Sequence, residues 1–239
     1  MIYFPILGAL ALAGGTIFER KLLKKKSMDI KKYNVLEFLG IVIVMLPILY
    51  FFWKLDSQAL ELKNILIFIG VVITSIIANI FTFYSMKGEK VSNLEPAKML
   101  EPLFTILLAV IFSFFIQGIY ERNLHVLIPA LIAGLALILT HVKKENLNLN
   151  KYFLAAIVGS FFFALELVIS MLILELYSPV TFYFLRCLAV LLLSYIMFRP
   201  KISNLNNKLK LNIISIGAIW VIYRVVTYYG YIKIGIIST

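Results

Sequence analysis

Four ionisable side chains lie inside long apolar stretches of this 239-residue chain: Glu101, Glu166, Arg186 and Arg224. An ionisable group in the middle of a bilayer costs about 2.5–3.5 kcal/mol even on a lenient insertion scale, so such groups usually face a cavity or a partner. A carboxylate in that position can carry a proton, bind a cation or balance a positive charge. An arginine can hold a carboxylate or phosphate through two parallel hydrogen bonds.

Glu166 and Arg224 each allow a functional and a structural interpretation. Glu166 shares a helix face with Ser170, and its carboxylate could be a proton or cation site or a counter-charge to a substrate. Arg224 is followed on its own face by Tyr228 and Tyr231, which suits an anionic or zwitterionic metabolite. The structural alternative is an ion pair, between these two residues or with another arginine, that fixes helix packing. Both hold in turn if a substrate replaces the internal partner.

The other polar residues within apolar stretches also allow two interpretations. Asn79 is expected either to join helices or to line a cavity. Glu101, followed by Pro102, opens an apolar stretch, where a carboxylate stabilises a helix N-terminus. Arg186 lies two turns into its stretch and could extend to the membrane interface, so we expect a structural or anchoring charge.

Membrane-spanning helices are the elements that must position these residues. The chain is 62% hydrophobic and 15% charged, whereas soluble domains are about 45–50% apolar and about 25% charged. Spanning helices need about 20 apolar residues, and the alternating segments of a membrane barrel are absent. The sequence therefore predicts an all-α, multi-pass integral protein of the cell membrane, with the lipid bilayer as a partner. The eight candidate spans are Ile2–Phe18, Val35–Trp53, Ile65–Met86, Leu100–Ile119, Val126–Val142, Tyr152–Leu176, Val180–Phe198 and Leu211–Ile232.

The basic residues collect in alternate connections between these spans. The first, third, fifth and seventh connections hold 17 Lys and Arg, whereas the second, fourth and sixth hold 3. Lysines beside anionic headgroups explain the net charge of +11 better than nucleic-acid binding does. Since the basic side is normally cytoplasmic, we expect the N-terminus outside.

Two pairs of spans align with each other at nearly the same offset. The second and seventh align at 146 residues, with Gly40 over Arg186, and the third and eighth at 145, with Asn79 over Arg224. Five helices separate equivalent points, and an odd number inverts successive repeats. The sequence predicts a five-helix repeat over 1–145 and a partial, three-helix repeat over 146–239. Two full repeats would need about 290 residues, so we expect the last two helices to be missing.

Several segments resemble the EamA domains of the drug/metabolite transporter superfamily. The Glu-Pro segment of Leu100–Val110 resembles the start of the fourth helix of that domain, and Ala133–Leu139 resembles its fifth. Tyr120-Glu121-Arg122 resembles its Gly-Glu-Arg turn, and Ser178–Arg186 its turn into the second helix of a repeat. The resemblance implies ten helices in two inverted repeats around a central substrate cavity, and both termini in the cytoplasm.

The expected function is secondary transport, as an exporter or permease, of a small polar or amphipathic metabolite. The expected substrate-binding residues are Asn79, Glu166, Arg224, Tyr228 and Tyr231. The alternative is a truncated, non-transporting membrane subunit or partner protein, and self-association stays open. The sequence contains no phosphate-binding loop and no catalytic motif, so we expect neither ATP hydrolysis nor an enzyme. With two His and one Cys, we expect no metal site and no cofactor.

Overall fold

The computed structural model describes residues 3–25, 28–116, 150–202 and 205–234, together with 128, 129, 131, 132 and 136. Helices dominate these residues. The longer ones are α1 (Tyr3–Leu23), α2 (Ile30–Phe52), α3 (Leu62–Gly88), α4 (Val91–Lys98), α5 (Leu100–Phe115), α6 (Lys151–Met171), α7 (Pro179–Phe198) and α8 (Asn207–Ile234). Short 3-10 helices cover Ser57–Leu60 and Leu174–Leu176.

The helix ends follow from local side-chain chemistry. Asn150 caps α6, because its Oδ1 accepts the backbone N–H groups of Tyr152 and Phe153 at 2.9 Å each. Ser178 caps α7 in the same way, and Pro179 occupies the first turn, where a missing N–H costs nothing. Arg199 ends α7 in a left-handed conformation, with φ of 42°, directly before Pro200. The predicted seventh span, Val180–Phe198, therefore agrees with α7 to within one residue.

Six helical segments of the described residues are long and apolar enough to cross a membrane. They are Ile30–Phe52, Leu62–Gly88, Val91–Phe115, Lys151–Met171, Pro179–Phe198 and Asn207–Lys233. The all-α membrane class is therefore confirmed. Of the other two predicted spans, the first corresponds to α1, which is not among the six. The fifth, Val126–Val142, lies mostly outside the described residues, as does the Tyr120-Glu121-Arg122 segment.

Two differences from the predicted spans matter for the cavity. The first span was expected to end at Phe18, but α1 continues to Leu23, so Glu19 lies within the helix. The fourth begins at Leu100 as expected, but the helix α4 precedes it with only Met99 between them. Both differences bring polar residues from predicted connections into the helical part of the protein.

Small residues mark the closest approaches between helices. α3 packs along α6, α1 along α8, and α2 against both α7 and α8. At the α2–α8 contact, a Cβ on Gly40 would lie 2.4 Å from the carbonyl oxygen of Ile213, and one on Gly217 would lie 2.5 Å from the backbone of Gly40. A Cβ on Gly159 of α6 would lie 2.6 Å from Oγ1 of Thr82 on α3. Such contacts are expected in lipid, where association depends on close van der Waals packing.

Backbone hydrogen bonds join two connections at one end of the molecule. The amide of Ser178 donates to the carbonyl of Lys54 at 3.1 Å, and the amide of Asp56 donates to that of Leu176 at 2.8 Å. The segments 53–61 and 172–178 therefore lie side by side, and we call this the closed end. Rings pack next to it: Tyr177 and Phe182 lie 5.3 Å apart between centroids.

The opposite end carries the basic connections. Lys87 Nζ donates to the carbonyl of Met28 at 2.7 Å, which brings the α3–α4 and α1–α2 connections together. Asn150 Nδ2 donates to Glu89 Oε2 at 2.8 Å, which adds the start of α6. Glu89 accepts the backbone N–H of Lys90 as well, and these bonds hold the pKa of its carboxyl below its usual value. We call this the basic end.

Candidate functional site

A cavity of about 600 Å³ lies between the helices, and each of α1–α8 contributes to its wall. This volume is typical of small-molecule sites. Val91, Ser92 and Glu95, at the start of α4, carry the cavity towards the basic end. Its charged wall residues are Glu19, Glu37, Glu95, Lys98, Glu101, Arg186 and Arg224.

A buried carboxylate between three helices organises one side of this cavity. Glu166 of α6 is fully buried, and its Oε1 accepts hydrogen bonds from Arg186 Nη1 of α7 and, at 3.1 Å, from the Tyr228 hydroxyl of α8. Arg224 Nη2, also on α8, lies 3.5 Å from Oε2. We call these four residues the Glu166 centre. Ser170, one turn along α6, adds a longer contact of 3.4 Å to Oε1.

Aromatic rings hold the two guanidinium groups in place. Arg186 lies 4.9 Å from the ring centroid of Tyr183. Arg224 lies 5.4 Å from the rings of both Phe163 and Tyr223. Cation–π contacts of this kind contribute about 0.5–2 kcal/mol each when shielded from water. The rings therefore keep both arginines at the cavity wall.

The Glu166 centre carries an excess positive charge. One carboxylate faces two guanidinium groups, and Arg224 uses only Nη2 on Glu166. Its Nη1 is buried and has no hydrogen-bond partner in the described part of the chain. Arg224 is 5% exposed and forms part of the cavity wall. A buried donor without a partner at a cavity wall favours an anionic ligand there.

The structure places the expected site residues in two layers. Asn79, Glu101, Pro102, Arg186 and Arg224 lie on the cavity wall. Glu166, Tyr228 and Tyr231 are not in the wall and pack behind it. Tyr228, which was expected among the substrate-binding residues, has its hydroxyl held between Glu166 and Arg186.

Three of these residues have contacts that bear on their expected roles. Arg186, expected to be a structural or anchoring charge, is 3% exposed and its Nη1 donates to Glu166, so it does not extend to the membrane interface. Asn79 donates from Nδ2 to the carbonyl of Ser75 at 2.7 Å while lining the cavity. Glu101, half-buried in the first turn of α5, faces Arg224 across the cavity.

A second group of charged residues in the wall was missed from the sequence. Glu37 of α2 is 4% exposed, and its Oε2 has no hydrogen-bond partner among the described residues. Glu19 of α1, 2% exposed, lines the same cavity as Glu37 and Lys98 of α4. We call Glu19, Glu37 and Lys98 the acidic pocket. One signal could have identified it: the repeat alignment places Glu37 over Tyr183, and both line the cavity.

These observations define a helical, multi-pass integral membrane protein with a charged central cavity. The family model described as the EamA-like transporter family matches residues 1–140. The chain therefore belongs to the EamA-like transporter family, within the drug/metabolite transporter superfamily, and is a membrane transporter of that type. No curated protein and no solved structure gave a significant match. Across the part of the chain that the structure describes, no three His, Cys, Asp or Glu side chains are grouped to hold a metal ion.

Proposed function

We propose that this protein is a secondary transporter of a small polar metabolite with an anionic group, either an anion or a zwitterion. Arg224 is the residue that binds the anionic group. The observation that carries this proposal is the unpaired Nη1 of a buried guanidinium on the wall of a cavity of about 600 Å³. The excess positive charge of the Glu166 centre attracts the same group.

Substrate binding need not break the Glu166 centre. Arg224 Nη1 is the guanidinium nitrogen left for an anion, because Nη2 already faces Glu166 at 3.5 Å. Glu166 then remains paired with Arg186 and serves as the counter-charge that holds the empty site together. Phe163 and Tyr223 offer flat apolar surfaces beside the guanidinium, which suits an amphipathic substrate.

The pattern of helix contacts supports an inverted repeat with units 1–145 and 146–239. A two-fold axis that relates α1, α2 and α3 to α6, α7 and α8 exchanges the α3–α6 and α1–α8 contacts and returns the α2–α7 contact to itself. All three contacts are present. Asn79 and Arg224, which the repeat alignment pairs, both line the cavity. On this proposal α1 and the span at 126–142 also cross the membrane, which gives eight crossings.

The basic end faces the cytoplasm in this proposal, and the N-terminus lies outside. The cavity then opens towards the cytoplasm of the cell and is shut at the closed end. The chain offers a direct test because its one cysteine, Cys187, is fully buried. In a Cys187→Ala background, a cysteine at Lys24 should react with a membrane-impermeant maleimide only after the cells are permeabilised. Labelling of intact cells would reverse the orientation.

Binding tests the assigned role of Arg224. The purified protein is heated in detergent with single small carboxylates, phosphates and zwitterions, and any compound that raises the unfolding temperature is tested for counterflow in proteoliposomes. Arg224→Gln should abolish both the shift and the counterflow, because it removes the guanidinium while Glu166 keeps Arg186. Arg199→Gln, the same change at an exposed residue, is the matched control. Undiminished binding by Arg224→Gln would refute the role of Arg224.

A further inference from the structure

We propose that Glu37, together with Glu19, is a proton-binding site of the transporter, distinct from the Glu166 centre. This inference rests on the proposed function, since a proton bound in the cavity matters if it couples the transport of a substrate to a proton gradient. It assigns the ion to the acidic pocket and leaves Glu166 the role of counter-charge.

Glu37 is a buried residue beside the cavity with a carboxylate oxygen that is free to bind a ligand. Glu37 lines the cavity, the residue is 96% buried, and Oε2 has no hydrogen-bond partner in the described part of the chain. A buried charge without a partner is costly, and an oxygen in this position is normally paired. A proton is the smallest ligand that removes the charge, and the cavity gives it a route from the basic end.

The charges around Glu37 favour a proton over a fixed ion pair. Glu19 faces it from α1, and two ionised carboxylates in one buried site repel each other until one is protonated. Tyr33 lies one turn back on α2, is buried, and supplies no positive charge that could pair with Glu37. Lys98 is the cation that acts on Glu19.

Lys98 cannot neutralise the acidic pocket alone. Glu19, Glu95 and Glu101 all line the cavity with Lys98, and each attracts its charge. Lys98 Nζ donates to the Sδ of Met86 at 3.3 Å, and no described ion pair joins it to Glu37. The arginines of α7 and α8 are committed to Glu166. The pocket therefore retains negative charge that a mobile cation can balance.

A proton fits this pocket better than a metal cation. A sodium or divalent site needs several oxygen ligands, and no three acidic, His or Cys side chains are grouped for this purpose anywhere in the described ranges. Glu166 is a poor proton carrier because both of its oxygens already face guanidinium groups.

The helix packing connects the two sites. Glu37 lies one turn before Gly40 on α2, and Gly40 contacts Gly217 on α8, two turns before Arg224. Trp220, one turn from Arg224, also lines the cavity, and its buried Nε1 has no hydrogen-bond partner among the described residues. A change of charge at Glu37 therefore takes place on α2, and α2 packs against α8, the helix that carries Arg224.

Infrared difference spectroscopy in liposomes tests the proposal with the proton itself as the probe and no substrate. Raising the pH from mildly acidic to mildly alkaline should remove a carbonyl band of a protonated carboxyl group. This band should be absent in Glu37→Gln, shifted in Glu19→Gln, and unchanged in Glu175→Gln, which removes an exposed carboxylate outside the cavity. The unfolding temperature of each variant shows that it is folded.

A second readout uses the two tryptophans of the chain. In a Trp53→Phe background, Trp220 is the one remaining tryptophan of the sequence. Its emission should change over the same pH range as the infrared band, and this change should be absent when Glu37→Gln is added. A band or emission change that persists unaltered in Glu37→Gln overturns the proposal. So does the same change produced by sodium at constant pH, which would make the ligand a metal cation.

The outcome is separable from that of the proposed function. Arg224→Gln should lose binding of the anionic substrate and keep the infrared band. Loss of the band in Glu37→Gln supports the proton site whether or not Arg224 proves to bind a substrate. Substrate binding that depends on Arg224, with a band that survives in Glu37→Gln, leaves the transporter assignment standing and removes the proton site.

Discussion

Glu166 and Glu37 are two buried carboxylates in one protein with opposite surroundings. Glu166 faces two guanidinium groups and a hydroxyl from α7 and α8. Glu37 faces another carboxylate, and its Oε2 has no hydrogen-bond partner in the described residues. Burial alone therefore does not decide what a membrane carboxylate does. A paired carboxylate fixes helices, whereas an unpaired one at a cavity wall is available to a ligand.

Removing the charge at each of these two positions gives the largest expected contrast. Glu166→Gln leaves two buried guanidinium groups without a counter-charge and should lower the free energy of unfolding by about 3–5 kcal/mol. Glu37→Gln removes an unpaired charge and should leave the unfolding temperature unchanged or raise it. Thermal unfolding in the same detergent measures both. Glu175→Gln, an exposed glutamate just beyond α6, is the matched control.

The comparison fails if the two variants behave alike. Equal destabilisation would mean that Glu37 has a structural partner. A stable Glu166→Gln variant would mean that the arginines are neutralised by another group, of which Glu101 is a candidate because it lines the same cavity.

The contact between α2 and α8 holds the two regions together, and it is the next largest target. Gly40→Ala should destabilise the protein by about 3 kcal/mol, because the added Cβ meets the backbone of Ile213 at 2.4 Å. Gly70→Ala on α3 is the control, since nothing lies within 4 Å of its Cβ. The unfolding temperatures of both variants are measured. Equal values for the two would show that the α2–α8 contact accommodates the added Cβ without loss of stability.

Tyr228→Phe examines the Glu166 centre without changing its charge. The hydroxyl donates to Glu166 and accepts from Arg186, each at 3.1 Å, so its loss should cost about 1.5 kcal/mol. Tyr229→Phe, the same change at the adjacent residue, should cost less than about 0.5 kcal/mol. Chemical unfolding in mixed micelles resolves the difference. A loss that is no larger than that of the control would mean that the ion pairs alone hold the centre.

Glu89 extends the comparison to a carboxylate outside the membrane, with the smallest expected effect. Its pKa is lowered chiefly by the Lys90 backbone N–H and then by the Asn150 amide. A lowered folded-state pKa stabilises the protein above the unfolded-state value of about 4.3, and this stabilisation is lost as the pH falls. Glu89→Gln should therefore be less stable than wild type at neutral pH, and the gap should close below about pH 4.

Unfolding temperatures of the two proteins across that pH range check the Glu89 prediction. The corresponding difference in the free energy of unfolding should be at most about 1 kcal/mol, since the Glu89 side chain is partly exposed. A gap that widens on acidification would contradict the role of these hydrogen bonds.

The sequence identified the charged residues that lie in the middle of predicted spans. Glu166 and Arg224 stand out because a charge in the middle of a bilayer is costly. Their pairing was anticipated as the structural alternative. Glu19 and Glu37 do not stand out in this way, since each lies at the edge of a predicted span beside basic residues. Their burial depends on α1 running past Phe18 and on α4, features that hydropathy does not detect.

Gly40 has a consequence for the energetics of the transport cycle. Under the proposed inverted repeat, two identical units would give inward-facing and outward-facing forms of equal energy, related by a two-fold rotation. In this chain the repeat alignment places Gly40 over Arg186, so an ion pair in one proposed unit is matched by a backbone contact in the other. On this proposal the two facings differ in free energy, and the empty protein rests in one of them. A substrate or a proton must then supply the difference in binding free energy that reverses this preference.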